Sequence, residues 1–434
     1  MSALALHFHA LGKKVAGYDR TPSDLTRKIQ EEGIEVWFDD MAEILPTDTD
    51  LVIYTPAVPR TLTLFRTIEE RNIPFVKRAE VLGALVKPKR TIAVAGTHGK
   101  TTISSLIAHI LKTAGVEITA FIGGICTNYN TNYINDSNPL WAIVEADEFD
   151  RSFLHIEPDI ALISSLDADH LDIYGTRNAM VESFNKFAQG IRPNGTLVLK
   201  KGMEKLVGFE GKTKTYGLKG PADLFATSIV AENGKQKAAI NGVFACGSFE
   251  IGLPGNHNLE NALGAALVAH TIGIDSQSIT KGISTFTGVK RRFEKCFENQ
   301  LTTYIDDYAH HPEEIRACIE ACRKLYPSKK ITAIFQPHLY SRTRDLARGF
   351  ASALEMADEI ILMEIYPARE LPIPGITSRW LLDQINSSNK TLASRPEVLE
   401  IVLNRNQELL LTLGAGDIDR LVSDIVKTLK TKQK

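Results

Sequence analysis

The sequence predicts an α/β fold arranged as three consecutive segments. Short apolar runs alternate with amphipathic stretches almost throughout, which is the pattern of strand and helix layers around largely parallel sheets. The 434 residues exceed what one core organises at roughly 100–200 residues per domain. A glycine loop at residues 96–102 stands between an apolar run and an amphipathic one. With 44% hydrophobic and 24% charged residues the chain has the composition of an ordinary globular protein, which excludes a disordered or collagen-like chain. Fifty Lys+Arg against 52 Asp+Glu leave a net charge of -2 and no global positive field. Neither nucleic acid nor a lipid surface is therefore expected as a partner.

The five cysteines, Cys126, Cys246, Cys296, Cys318 and Cys322, form no CxxC pair, and their odd number does not read as a disulfide framework. Cys318 and Cys322 share a helix face with Ile315, Ile319 and Leu325, so packing is expected of them. No uninterrupted apolar stretch approaches the ~20 residues of a membrane span. In MSALALHFHALGKK the positive charges follow the short apolar part, the reverse of a signal peptide. The expectation is a cytoplasmic protein.

The first segment, 1–89, runs from a helix at Ser2–Leu11 through the strands KKVAGYD and DLVIYTPAVP to VKPKR at Val86–Arg90. It is too short for a complete doubly wound domain. The second, 90–288, opens with the strand TIAVAG at Thr91. It closes with helices at His257–His270 and around Ile279–Phe286. The third, 289–434, repeats the rhythm: LTTYIDDY, a helix at Glu313–Tyr326, KITAIFQ, a helix at Arg344–Met356, EIILMEIY, then LLLTLGAGD and a closing helix.

The chemistry concentrates after TIAVAG. Gly96-Thr97-His98-Gly99-Lys100-Thr101-Thr102 leads into a helix with the apolar face Ile103, Leu106, Ile107, Ile110 and Leu111. Glycines let successive N–H groups turn toward one anion, and a helix N-terminus adds positive potential. Lys100 then reaches the β/γ-phosphates and Thr101 ligates Mg²⁺. The loop is a shortened variant of the phosphate-binding pattern, with Val94 where the full pattern has glycine. Two further strand ends point to the same crevice: LWAIV delivers Glu145, and IALISSL delivers Asp167, Asp169 and His170. Glu145 and His170 suit Mg²⁺ bridging phosphate oxygens. Asp147, Glu148, Asp150 and Asp169 read equally as acidic helix caps.

GTHGKTT, EADEFDRSFL, DADHLD, PGNHNLENA, GVKRRFE and DDYAHHP, in that order, together resemble the Mur ligases, the ATP-dependent enzymes that build the peptide stem of the bacterial cell wall. The likeness spans the chain and is strongest to the alanine-adding branch. It implies a Rossmann-like N-terminal domain holding a UDP-sugar, a central P-loop ATPase-type domain with a mostly parallel sheet, and a Rossmann-like C-terminal domain that closes over ATP. It also implies the reaction: ATP activates the lactyl carboxylate of UDP-N-acetylmuramate as an acyl phosphate, and the amine of L-alanine displaces phosphate. By motif, Lys100 and Thr101 hold the triphosphate and its Mg²⁺, with Glu145 and His170 as metal ligands. His257, Asn258 and Asn261 line the adenine pocket, although the same motif reads as a capping Asn beside a packed His. Arg292 reaches a phosphate, unless it is a solvated linker charge, and Asp307 takes the ribose. Tyr308, His310, His311, His338 and Arg342 face the amino acid and the UDP-sugar. Either His170 or His310 could take the amine proton.

The sequence departs from the family in three places. Leu339 stands where some relatives place arginine. Asn185 occupies the place of the carbamylated lysine of several sister ligases, and Lys186 beside it is not assigned that role. The chain also begins at the Met1-Ser2-Ala3-Leu4-Ala5 of a glycine-rich opening loop. From this the resemblance implies a first domain short of its first strand and most of the UDP-facing loop. Two other functions stay open on the sequence alone: a ligase that joins a whole tripeptide to the same sugar nucleotide, and a non-catalytic P-loop switch.

Overall fold

In a computed structural model the chain is described at residues 1–434 apart from 57, 168–173, 175, 233–234, 245–246, 369 and 433–434. It divides into two compact units. One comprises Met1–Val230, Lys237–Ile251 and Asn256–Thr287; the other is Gly288–Lys434 with Ala231–Gln236 and Gly252–Gly255.

The first unit begins with α1 (Ser2–Ala10), β1 (Ala16–Tyr18), α2 (Asp24–Glu31), β2 (Glu35–Trp37), β3 (Val52–Tyr54), α3 (Thr63–Glu70), β4 (Phe75–Lys77) and α4 (Arg78–Val86). The four strands form two separate parallel pairs, β1 with β2 and β3 with β4. Ser23 caps α2 by accepting from Thr26 N at 3.1 Å, as its position ahead of an amphipathic run dictates.

Then follow β5 (Arg90–Ala95), α5 (Lys100–Thr113), β6 (Ile118–Cys126), β7 (Thr131–Asn135), β8 (Trp141–Glu145), β9 (Ile160–Ile163), α6 (Arg177–Gln189), β10 (Thr196–Lys200), β11 (Lys212–Gly217), β12 (Leu224–Glu232), β13 (Lys235–Gly242), β14 (Ser248–Ile251), α7 (Asn256–Thr271) and α8 (Ser276–Thr285). They build a ten-stranded sheet in the order β14-β13-β12-β11-β10-β9-β5-β8-β6-β7. β5 lies between β8 and β9, parallel to both. Its Ile92–Ala95 are fully buried, as expected of a strand covered on both faces. Alternate residues Ala93 and Ala95 join Val144, Ile163, Phe153, Phe184 and Phe187 in one core. The topology places the C-terminal ends of β5, β8 and β9 side by side, and the loops leaving them carry the acidic and glycine motifs.

Deep in this unit, His109 on α5 is buried between Tyr129 Oη at 2.8 Å and Thr285 Oγ1 at 2.9 Å. Burial holds its pKa below the ordinary value, and burial acts the same way on His7 and His270. A depressed histidine contributes stability above its unfolded pKa of about 6.5, and that contribution is lost as pH falls through this range. From pH 7.5 to 5.5 the urea midpoint of the wild type is therefore expected to fall relative to that of His109→Gln, and an equal slope in the two proteins would show that His109 does not titrate this way.

The second unit contains β15 (Glu294–Glu298), β16 (Thr303–Asp307), α9 (Pro312–Leu325), β17 (Ile331–Phe335), α10 (Tyr340–Asp345), α11 (Ala347–Leu354), β18 (Glu359–Leu362), α12 (Ser378–Gln384), β19 (Lys390–Leu392), α13 (Arg395–Asn404), β20 (Leu409–Leu413) and α14 (Asp419–Thr431). Its sheet runs β15-β16-β20-β17-β18-β19, parallel except for β15. Cys318 and Cys322 are buried in its core beside Ile315 and Ile319. The single helix read at Arg344–Met356 is instead two, broken at Leu346. Leu346 adopts a non-helical φ/ψ of -111° and 13° there, a local geometry that apolar periodicity does not report.

Candidate active site

The loop between β5 and α5 is held by its neighbours before any ligand arrives. Gly96 and Gly99 have φ of 129° and 83°, a region open to glycine and strained for other residues. A Cβ on Gly96 would overlap Ser164 Oγ and lie 2.9 Å from the backbone nitrogens of Ser164 and Ser165. Ser165 braces the loop: its carbonyl accepts from Thr97 N at 3.2 Å, and its hydroxyl accepts from His98 N at 2.8 Å and lies 2.9 Å from Thr97 Oγ1. Asp167 N donates to Thr97 Oγ1 at 3.2 Å, and the Asp167 carboxylate is 3.7 Å from His98 Nε2. The serines of IALISSL thus shape the cradle, a role the sequence reading did not assign. Gly96→Ala is expected to abolish binding of an ATP analogue in calorimetry while leaving far-UV dichroism unchanged; wild-type affinity would show that the cradle tolerates a side chain.

Two carboxylates three residues apart divide the loop's polar groups between them. Glu145, at the end of β8, accepts from Thr101 Oγ1 at 3.0 Å and from Gly123 N at 2.9 Å. Glu148, fully buried, accepts from Lys100 Nζ at 2.7 Å, while Gly96 O accepts from the same ammonium at 2.8 Å. Burial alone would push the Lys100 pKa down, but Glu148, Asp147 and Glu145 outweigh it and hold the group above its ordinary value. Burial raises the Glu148 carboxyl, and Lys100 opposes that rise. Tyr174 donates its hydroxyl to the Glu148 carbonyl at 2.7 Å.

The Thr101 hydroxyl and the Glu145 carboxylate are hard oxygen donors brought within 3.0 Å of each other, which fits Mg²⁺. His170 and Asp169 lie outside the described residues. Among the described residues no cluster of three or more His, Cys, Asp or Glu is gathered for a metal.

Of the motif on α7, Asn261 comes to the loop: a Cβ on Gly99 would stand 2.6 Å from its Oδ1. Asn258 is buried, and His257 lies in the same first turn. Asn185 Oδ1 accepts from Gly208 N at 2.8 Å, and Lys186 pairs with Glu182 at 2.9 Å on an exposed face.

In the second unit the ends of β16, β17 and β18 carry a row of rings. The guanidiniums of Arg291 and Arg292 lie 5.2 and 5.0 Å from the Tyr308 ring centroid. Tyr308 meets His310 edge-on at 5.2 Å, and His310 meets His338 at 6.1 Å. Tyr366, unnoticed in the sequence, stacks on His338 at 5.8 Å. Leu339 takes φ 69° and donates its N–H to Tyr366 O at 3.0 Å, so its backbone is pinned in a strained form. Asp307 accepts from Phe293 N at 2.6 Å and Ala309 N at 2.8 Å, and burial pushes it up to about 6 against the pull of Arg292. His310 is held below its ordinary pKa by burial, with Arg342 and Arg292 acting the same way and Glu314 opposing. Its Nδ1 lies 2.9 Å from Tyr308 O. A carbonyl only accepts, so Nδ1 bears the proton and Nε2 keeps the lone pair. His311 is the N-cap residue of α9, where Glu314 accepts from His310 N at 3.0 Å and His311 N at 3.2 Å.

Profiles of known families match along the chain: "Mur ligase family, catalytic domain" at 1–90, "Mur ligase middle domain" at 94–269 and "Mur ligase, glutamate ligase domain" at 291–416. The chain is 46% identical over 440 residues to a UDP-N-acetylmuramate–L-alanine ligase of Flavobacterium psychrophilum, covering 100% of this chain and 96% of the relative. It is 44% identical over 438 residues to the ligase of the same name from Flavobacterium johnsoniae, covering 99% and 95%. The solved UDP-N-acetylmuramate-alanine ligase of Thermotoga maritima superposes with a TM-score of 0.86 at 27% identity, covering 100% of this chain and 97% of that one. A braced glycine loop backed by two carboxylates, a ring cluster at the strand ends of the second unit and family matches in each segment agree, and the chain belongs to the Mur ligase family.

Proposed function

We propose that the chain joins L-alanine to the lactyl carboxylate of UDP-N-acetylmuramate with conversion of ATP to ADP and phosphate, a step of peptidoglycan precursor synthesis. The observation that carries this is end-to-end 46% identity to an alanine-adding ligase, in a chain whose own loop hands Lys100 and Thr101 to two carboxylates. The family's domains correspond to 1–89 for the UDP-sugar, 90–288 for ATP and 289–434 for the amino acid, and the setting is the cytoplasm.

A carboxylate is a poor acyl donor, so its oxygen takes the γ-phosphoryl group of ATP, and the loop's work is positioning and charge. The N–H groups of 96–102 and the Lys100 ammonium face the phosphates, and Asn261 with His257 and Asn258 borders the adenine side. Mg²⁺, held by Thr101, Glu145 and His170, would neutralise charge across the β- and γ-phosphates. Asp307 takes the ribose, and Arg292 a phosphate. Tyr308, His311, His338 and Arg342 border the acceptor amine and the sugar nucleotide. Attack requires a neutral amine, and of His170 and His310 the second takes that proton, a reading supported by its Nε2 lone pair and depressed pKa. The amine nitrogen bonds to the acyl carbon, the carbon–oxygen bond to phosphate breaks, and phosphate leaves with the bonding pair.

ADP release is expected to require both UDP-N-acetylmuramate and an amino acid, with L-alanine favoured over glycine, L-serine and the tripeptide. ¹⁸O in the lactyl carboxylate should appear in phosphate. Equal turnover with ATP alone, or unlabelled phosphate beside product, would sink the proposal.

A further inference from the structure

We infer that Glu148 is a positioning residue for phosphoryl transfer, its buried carboxylate setting the direction in which the Lys100 ammonium presents its remaining donor; this rests on the reading that the loop takes ATP. An ammonium has three N–H donors in fixed tetrahedral directions. Two are spent within the protein, on Glu148 Oε1 at 2.7 Å and Gly96 O at 2.8 Å. Among the described residues nothing further takes the third, and two fixed bonds leave it a single direction. Without Glu148 the lysine would keep one anchor and swing about it.

Glu148 is itself held. Its side chain is 0% exposed, and its carbonyl accepts the Tyr174 hydroxyl at 2.7 Å. Just beyond, Asp150 and Arg151 both stand at φ 54°, left-handed backbone that non-glycine residues keep only where the surroundings over-determine it. Lys77 ties Asp150 at 2.9 Å, and the Arg151 guanidinium lies over the Tyr174 ring at 5.3 Å. Glu145, one helical turn's worth of sequence earlier, serves Thr101 instead, so the two carboxylates are not interchangeable.

The sign of the charge separates positioning from binding. A carboxylate that pairs with a lysine and not with the metal opposes the ground-state complex of a triphosphate, so such a residue kept for affinity would not be anionic. One kept for geometry can be, provided the aligned lysine gains more in the transition state than the charge costs on binding.

The test is a cycle over Glu148 and Lys100 in the full chain. Calorimetry with a non-hydrolysable ATP analogue and Mg²⁺ gives affinity, and amino-acid-dependent ADP release gives kcat and KM for ATP. Glu148→Ala is expected to bind the analogue roughly 2- to 5-fold tighter, since a nearby negative charge is gone. Its kcat should fall about 10- to 10²-fold through misplacement of Lys100. Glu148→Gln keeps the acceptor and the shape, so its kcat should recover to within about 5-fold of wild type. In Lys100→Ala, adding Glu148→Ala should cost nothing further in kcat. Wild-type kcat in Glu148→Ala, a loss that adds in full to that of Lys100→Ala, or a loss with weaker analogue binding that Gln does not rescue would each overturn the role. Should Glu148→Ala fail to fold, Glu148→Asp withdraws the carboxylate by one methylene, and an unchanged kcat there overturns it equally. Analogue binding needs no acceptor substrate. Preference for the tripeptide over L-alanine as acceptor would therefore sink the proposed function and leave this one standing.

Discussion

Lys100→Ala is expected to lower turnover by about 10³-fold, the loss that follows when a preorganised donor is taken from developing charge in a water-poor site. The same substitution should also lower stability, because Lys100 is a counter-ion of a fully buried carboxylate. Breaking a buried pair from one side costs about 3–5 kcal/mol, limited here by Glu148 taking up a proton. Catalytic and structural losses are separable. Lys100→Ala with Glu148→Gln should regain most of the urea midpoint and none of the turnover. If the double variant recovered both, the lysine would be a structural cation and the phosphate role would be wrong.

Glu145→Ala is expected to give the second large effect, a fall of at least ~10²-fold at low Mg²⁺, of the size seen when a metal's supporting groups are removed. High Mg²⁺ should recover part of it, so the discriminating measurement is the Mg²⁺ concentration at half-maximal rate for wild type, Glu145→Ala and Glu145→Gln. Gln still accepts from Gly123 N and Thr101 Oγ1, so it isolates the charge. Wild-type rates at low Mg²⁺ in either variant would remove Glu145 from the metal site. The histidine expected beside it, His170, falls on residues outside those described.

What was legible beforehand was what repeats locally. The loop at 96–102 announces itself because glycine, lysine and threonine follow a strand and open a helix, and every one of those types is needed within a few residues. Glu145 was legible as the last residue of an apolar run. Glu148 was not separable from Asp147 and Asp150, because its partner is decided by burial 48 residues from Lys100 in sequence. The bracing by Ser164 and Ser165, and the stacking of Tyr366 on His338, are likewise contacts between strand ends that only the sheet order β9-β5-β8 or β17-β18 brings about. The strands from β11 to β14 are not legible in the sequence, because strands such as Leu224–Glu232 mix polar and apolar residues without a dominant period. Gly99's need for left-handed backbone was foreseeable; that Asn261 fills the space beside it was not.

The two isolated strand pairs of the first segment have a consequence for the lifetime of their amide hydrogens. A ladder paired on one side exchanges with solvent whenever a single neighbour frays, without opening the rest of the chain. Residues Ala16–Tyr18 and Val52–Tyr54 are of this kind, whereas Ile92–Ala95, locked between β8 and β9, release deuterium only when the ten-stranded sheet itself comes apart. One polypeptide thus keeps two clocks: the end assigned to the sugar nucleotide is remade many times over while the phosphate cradle, anchored on the slowest strand, stays as it was folded.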